Sequence, residues 1–191
     1  MGIAAWADVM LMTPDELLVA ELPEGKVELV RGELRVNPPA GGPHGRGSTN
    51  LVLLLGIYLK GRGLGAVFAD GVGYELLALP RTVRCPDLSF VQANRLPPDG
   101  LTRGFLKFAP DLAVEVLSPD ESESELQEKL DDYHACGTPL LWVIDPRRRT
   151  VMVLANDAPV RWLREGDTLD GGTVIPGFSC AVSDLFEGIA K

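Results

Sequence analysis

Apolar and polar residues alternate along K-V-E-L-V-R-G-E-L-R-V on both sides of Arg31-Gly32, and this period of two predicts a hairpin from about Lys26 to Val36. Glu28 and Val30 share one face of it, Val27 and Leu29 the other. Ahead of the hairpin, T-P-D-E puts proline at a first helical position and acids in the first turn, which predicts a short covering helix from Thr13 to about Ala20. Behind it, N-P-P-A-G-G-P-H-G-R-G reads as a loop, after which Ser48 to Lys60 carries helical apolar spacing that Gly61 and Gly63 end.

Further on, 66–68, 72–79 and 88–91 read as strands, the last entered through Cys85-Pro86-Asp87. The stretch Gln92 to Ala109, rich in loop residues, reads as an exposed loop of the kind that carries binding function. P-D-L-A-V-E-V-L-S-P is an apolar strand with one carboxylate in its middle, followed by a helix from Ser122 to Cys136 that Gly137 ends. Leu140 to Ile144 and Thr150 to Leu154, separated by D-P-R-R-R, are the last core strands. Helices interspersed among strands, without strict alternation, predict an α/β fold: a mixed β-sheet flanked by helices, with an N-terminal helix and a β-hairpin. A length of 191 residues fits one domain, 1–191, with enough chain to bury a core without disulfides.

Composition narrows the class. Hydrophobic residues at 46% and charged residues at 24% match a soluble globular protein, and no apolar run approaches the ~18 residues of a membrane span. The N-terminus lacks a basic start and is broken by Asp8, Pro14, Asp15 and Glu16, so the expected location is the cytoplasm. Cys85, Cys136 and Cys180 are odd in number and lack CxxC spacing, which points to small core residues rather than disulfides or a thiolate zinc site. The formal charge of −9 opposes tight non-specific binding of nucleic acid, although Arg147, Arg148 and Arg149 make a local basic cluster.

Glu115 is the most informative position. An unpaired carboxylate among Leu, Ala and Val would cost several kcal/mol, so it should meet a metal, hydrogen-bond donors or an arginine at a sheet edge. On the following helix Leu126, Leu130 and Tyr133 form the core stripe, and Lys129 lies roughly 60° from its centre, able to reach Glu115 or, alternatively, to remain a solvated flank residue. Asp87 at the entry of its strand suits a metal ligand at a sheet end, and equally a turn cap. Asp111 lies four residues before Glu115, about 13 Å away at ~3.3 Å per residue, too far to share an ion, and reads as structural. The run Asp120, Glu121, Glu123, Glu125 reads as a solvated helix start. Glu28 and His44 are second-rank candidates for the same end of the sheet, and His134 reads as a helix-surface residue. No His-rich zinc site, G-x-S-x-G elbow or G-x-x-x-x-G-K-[ST] loop is present, which leaves carboxylate-based chemistry on a hard cation.

Taken together, T-P-D-E-L, V-E-L-V-R-G-E-L, Pro43-His44, C-P-D-L-S-F-V, P-D-L-A-V-E-V-L-S-P, K-L-D-D-Y-H-A-C-G-T-P-L-L-W-V-I-D-P and I-P-G-F with Asp184-Leu185-Phe186 resemble, in order and spacing, the Uma-two type of restriction endonuclease, a branch of the PD-(D/E)XK nuclease superfamily. The likeness spans nearly the whole chain. It implies a restriction-endonuclease-like core, with Asp87 as the aspartate of the first motif and Glu115 as the acid of the second. Where the pattern places a lysine two residues after that acid this chain has Leu117, and the resemblance implies that Lys129 takes its part. Glu28 and His44 are further family positions.

The expectation is therefore a Mg²⁺-dependent endonuclease, with Mn²⁺ as an alternative ion. Asp87 and Glu115 would hold the metal, Lys129 would serve the attacking water or the developing charge, and DNA would be the substrate, cut by a possible homodimer with Trp6, Trp142, Trp162 and the apolar final segment as interface material. A catalytically silent binding protein on the same fold and a phosphodiesterase with another substrate compete with that reading.

Overall fold

The computed structural model describes residues 11–101, 103–119 and 121–190. Thr13 caps α1 (Pro14–Leu17) through a reciprocal box with Glu16, but the helix is one turn long and stops before Ala20. The hairpin forms as β1 (Lys26–Val30) and β2 (Glu33–Asn37). Helix α2 (Gly42–Leu59) starts six residues before Ser48, because proline has no N–H to lose in a first turn and Gly41 serves as an extended N-cap. Composition had suggested a loop there; the difference brings His44 into the first turn of a helix.

The next strands are β3 (Gly65–Ala69), β4 (Tyr74–Glu75), β5 (Val83–Arg84) and β6 (Leu88–Gln92). The long strand expected over 72–79 shrinks to two residues, since its partner β5 is equally short. Apart from a single 3₁₀ turn at Ala93–Arg95 and a bridge from Leu106 to Tyr74, the described residues of 93–109 are irregular, as expected. Then come β7 (Leu112–Val116), α3 (Glu123–Ala135, with Ser122 as N-cap), β8 (Leu140–Asp145) and β9 (Thr150–Ala155). The chain does not finish its core at β9. It continues into β10 (Ala158–Arg164), β11 (Thr168–Asp170), β12 (Ser179–Ala181) and α4 (Val182–Leu185).

Six strands in the order β10-β9-β8-β7-β6-β3 make the main sheet, and β2-β1-β5-β4 make a smaller one. Every main-sheet pair is antiparallel except β7–β8. That parallel pair requires a crossover, which α3 supplies. Alternate residues of the central strands consequently face two cores. Leu88, Phe90, Leu112, Val114, Trp142 and Ile144 pack with Leu51 and Leu55 of α2, while Ala113, Leu141 and Val143 pack with Leu130 and Tyr133 of α3. Helices cover both faces, the mixed α/β arrangement read from the sequence. Trp6 lies outside the described residues, Trp142 is fully buried, and Trp162 is exposed.

Leu55, without exposed surface at the centre of the α2 core, gives the expected cost of a cavity there: Leu55→Ala should lower unfolding free energy by about 2–5 kcal/mol, read as a lower urea midpoint at an unchanged m-value.

Candidate active site

The Leu88↔Val114 pair ends the register between β6 and β7, and Asp87 and Glu115 are the next residues beyond it on the two chains. The backbone N–H of Asp87 donates to the Val114 carbonyl at 3.0 Å, one residue out of the strand register, so Asp87 lies at an irregular entry to β6. Glu115 points toward α3, in the layer of Ala113 and Tyr133, while Asp87 meets groups of β1, β7 and α2 at the same end of the sheet.

Glu115 is 2% exposed, and its two oxygens are satisfied separately. Lys129 Nζ lies 3.2 Å from Oε2, and the Tyr133 hydroxyl donates to Oε1 at 3.0 Å. Spacing of four residues on α3 stacks these two partners over the strand. Lys129 is also 2.6 Å from Glu121, so the residue read as part of a solvated helix start is a partly buried member of the site. Glu123 and Glu125 are exposed, Glu125 capping through Ser122, and Asp120 lies outside the described residues. Burial pushes the Glu115 carboxyl up to about 7 against the pull of Lys129 and Lys26. Burial also works against the charge of Lys129, but Glu115, Glu28 and Glu121 hold it protonated far above the usual range.

Asp87 is enclosed on three sides. Lys26 Nζ meets Oδ1 at 2.5 Å, the Val116 N–H donates to Oδ2 at 2.7 Å, and His44 Nε2 lies 3.1 Å from Oδ2. Burial opposes its ionisation, yet hydrogen bonding from His44 and the charge of Lys26 keep its carboxyl well below the ordinary range. The Lys26 ammonium reaches Asp70 as well, at 3.5 Å. Helix α2, starting early, is what carries His44 to this aspartate.

Glu28 belongs to an adjoining chain of buried charge. Its Oε1 accepts the Cys85 N–H at 2.8 Å and its Oε2 accepts from Arg84 at 3.1 Å. Arg84 in turn grips Asp132 at 2.8 and 2.6 Å, and Arg31 reaches the same aspartate at 2.6 Å. This Glu28–Arg84–Asp132–Arg31 series ties the small sheet to α3. Asp111 stays apart, accepting from Arg95 and from the Gln92 N–H, a structural role like the one expected for it.

A cleft of about 1370 Å³ lies between the hairpin and the start of α3; Glu28, His44 and Arg84 line it, whereas Glu115 and Tyr133 do not. Lys26, Asp87 and Lys129 lie on its lining, Glu121, Glu125 and Glu128 stand on one side, and Leu18, Leu22, Leu34 and Val36 give it an apolar wall. Among the described residues no three His, Cys, Asp or Glu side chains gather closely enough to hold an ion by themselves. A hard cation that keeps several waters needs only one or two carboxylates, and Asp87 with Glu115 offers that number. Carboxylate oxygens are the donors such an ion takes, so the pair suits it in kind and number, with Lys26 and Lys129 as the cations it would have to displace.

Sequence reading missed Lys26, Glu121, Tyr133, Arg84 and Asp132 as site groups. Lys26 shares a strand face with Glu28, and Asp132 and Tyr133 follow Lys129 by three and four residues, so periodicity pointed to three of them. Arg84 gave no signal, because β5 is too short to show a period.

The sequence profile described as "Putative restriction endonuclease", Uma2, matches residues 14–183. Among solved structures, one described as a "putative nuclease belonging to DUF820" from Anabaena variabilis superposes with a TM-score of 0.79 at 22% identity, covering 92% of this chain and 97% of that one. At that identity the likeness establishes a common fold. Nothing among the curated proteins matches.

Arg84 is the keystone of the buried charge series, and removing it leaves Glu28 and Asp132 uncompensated. Arg84→Leu should therefore cost about 3–5 kcal/mol in urea unfolding. Arg31→Ala, at a half-exposed side chain, should cost no more than about 1 kcal/mol in the same assay.

Proposed function

This chain belongs to the Uma2 family, and on that premise we propose that it is a metal-dependent endonuclease that hydrolyses phosphodiester bonds of DNA. The observation that carries the reading is the pair of buried carboxylates, Asp87 and Glu115, at the same end of neighbouring strands with a lysine on each. Mg²⁺, or Mn²⁺, bound by these two residues would polarise the scissile phosphate and acidify a water.

The chain's own residues supply the rest. Lys129, anchored on Glu115 and Glu121, stands where it can orient the attacking water or meet developing negative charge. Lys26, whose ammonium pairs with Asp87 and Asp70, would donate to a non-bridging phosphate oxygen. His44 orients Asp87 through Nε2. Glu28, with both oxygens engaged, holds Arg84 and the Cys85 backbone and so positions the strand entering Asp87. The irregular wall of the cleft leaves room for a polynucleotide, and cutting both strands would be served by a homodimer acting in the cytoplasm. Among the described residues no helix is long and apolar enough to cross a membrane.

The net charge of −9 and the acidic side formed by Glu121, Glu125 and Glu128 favour a second reading, a silent binding protein on this fold. Isothermal titration of Mg²⁺ and Mn²⁺ into the wild type and the Asp87→Asn, Glu115→Gln double variant separates the two, run beside cleavage of plasmid DNA, RNA and a simple phosphodiester. Binding and DNA cleavage in the wild type, both lost in the folded double variant, are expected. Equal binding in both proteins, or cleavage that survives chelation, removes the metal scheme. Lys26→Met should tighten Mn²⁺ binding by about tenfold, the effect of one competing cation worth roughly 1.4 kcal/mol, while lowering turnover. Unchanged Mn²⁺ affinity would show that Lys26 does not compete for Asp87.

A further inference from the structure

The cross-strand register runs a straight line from the carboxylates to the edge of the main sheet. Glu115 pairs with Val143, Val143 with Met152, and Met152 with Trp162. Opposed residues share a face, so Trp162 projects on the same side of the sheet as Glu115. Three strand spacings of ~4.8 Å put its Cα about 14 Å from that of Glu115, roughly four nucleotide steps at the ~3.4 Å rise of a duplex strand. Trp162 is 66% exposed, on a strand whose outer edge has no partner among the described residues. Core packing therefore does not account for it, in contrast to the fully buried Trp142.

Arginines lie near the indole, together with the carboxylates of Asp145 and Asp167. Arg164 lies two residues on, on the same face, and pairs through Thr150 with Asp145, where the turn carrying Arg147 and Arg148 begins. Arg148 pairs with Asp145, but among the described residues neither Arg147 nor Arg164 forms an ion pair. The segment leaving Glu115 runs to the same end of the sheet: Leu117 N–H donates to the Ile144 carbonyl at 2.8 Å, and Ser118 and Pro119 after it line the cleft. A path from the cleft rim past Arg147 and Arg148 to Arg164 and Trp162 thus follows one end of the sheet.

We propose that Trp162 and Arg164 form a second nucleic-acid subsite, where a base of an unpaired strand leaving the carboxylate centre stacks on the indole and its phosphate meets the guanidinium. The proposal rests on the nuclease reading for the origin of that strand. An exposed aromatic ring beside free cations is the pairing that holds single strands without regard to sequence, since every base has a π-face. The charge selects this occupant over a second copy of the chain: arginines gathered on one edge of a protein of net charge −9 attract phosphate and repel their own duplicate.

The test is fluorescence anisotropy with the full chain in EDTA, using fluorescein-labelled oligothymidylate and oligouridylate of about a dozen nucleotides and a blunt duplex of equal length. Trp162→Ala should weaken single-strand binding by about 10-fold, Trp162→Phe should restore most of it, and Arg164→Gln should weaken it and flatten its salt dependence. Single strands should bind more tightly than the duplex. Binding of the single strands that is absent, or indifferent to Trp162, overturns the subsite. So does a dimer in sedimentation that Trp162→Ala dissociates, which would make the patch a self-association surface. Cleavage on adding Mn²⁺ is scored separately: Trp162-dependent binding without cleavage keeps the subsite and removes the nuclease reading, and cleavage with Trp162-independent binding does the reverse.

Discussion

A carboxylate inside a central strand is the constraint around which this molecule is arranged. Glu115 sits between β6 and β8 with almost no exposed surface, and an ionised group there is tolerated only with cations and donors brought to it. Lys129 and Tyr133 answer from one helix, and the spacing between them fixes both the rotation and the height of α3 over the sheet. Asp87 opposite extends the demand to Lys26, which belongs to the hairpin of the other sheet. The two sheets, which also share the apolar packing of Tyr74 and Leu76, are thereby held in one orientation by charge as well.

The small sheet is held by a second series of the same kind. Arg84 lies buried between Glu28 and Asp132, and Arg31 closes the far end. Buried ion pairs contribute little net stability compared with apolar packing, but they penalise every arrangement that separates them. Here the penalised arrangements are those that open the cleft, so the geometry at Asp87 is guarded by residues that take no part in its chemistry.

Much of this was legible in the chain. Alternation gave the hairpin, capping residues gave the start of α3, and an acid amid aliphatic residues singled out Glu115. Lys129 could be placed because a helix has a period. Three kinds of feature escaped. Elements of two residues, such as β4 and β5, have no period, and Arg84 was hidden with them. Gly and Pro in 41–47 looked like a loop because composition does not distinguish a first helical turn, where both are tolerated, from a turn that ends a helix. Glu121 looked solvated because acids are common at helix starts, and only the fold of the preceding segment turns it toward Lys129. Each failure is one of tertiary context overriding a local rule.

The parallel pairing of β7 with β8 has a consequence for synthesis. A crossover forces the cation for Glu115 to lie downstream of it, on α3, and Lys129 follows its carboxylate by fourteen residues. Asp87 has its lysine sixty-one residues upstream. As the chain emerges from its N-terminus, Lys26 and Asp87 are both available before Glu115, and Glu115 is made before anything that can neutralise it from the helix side. Its strand therefore gains little by burying itself until α3 has followed, which delays closure of the sheet centre and makes the order of translation agree with the order in which charge can be hidden.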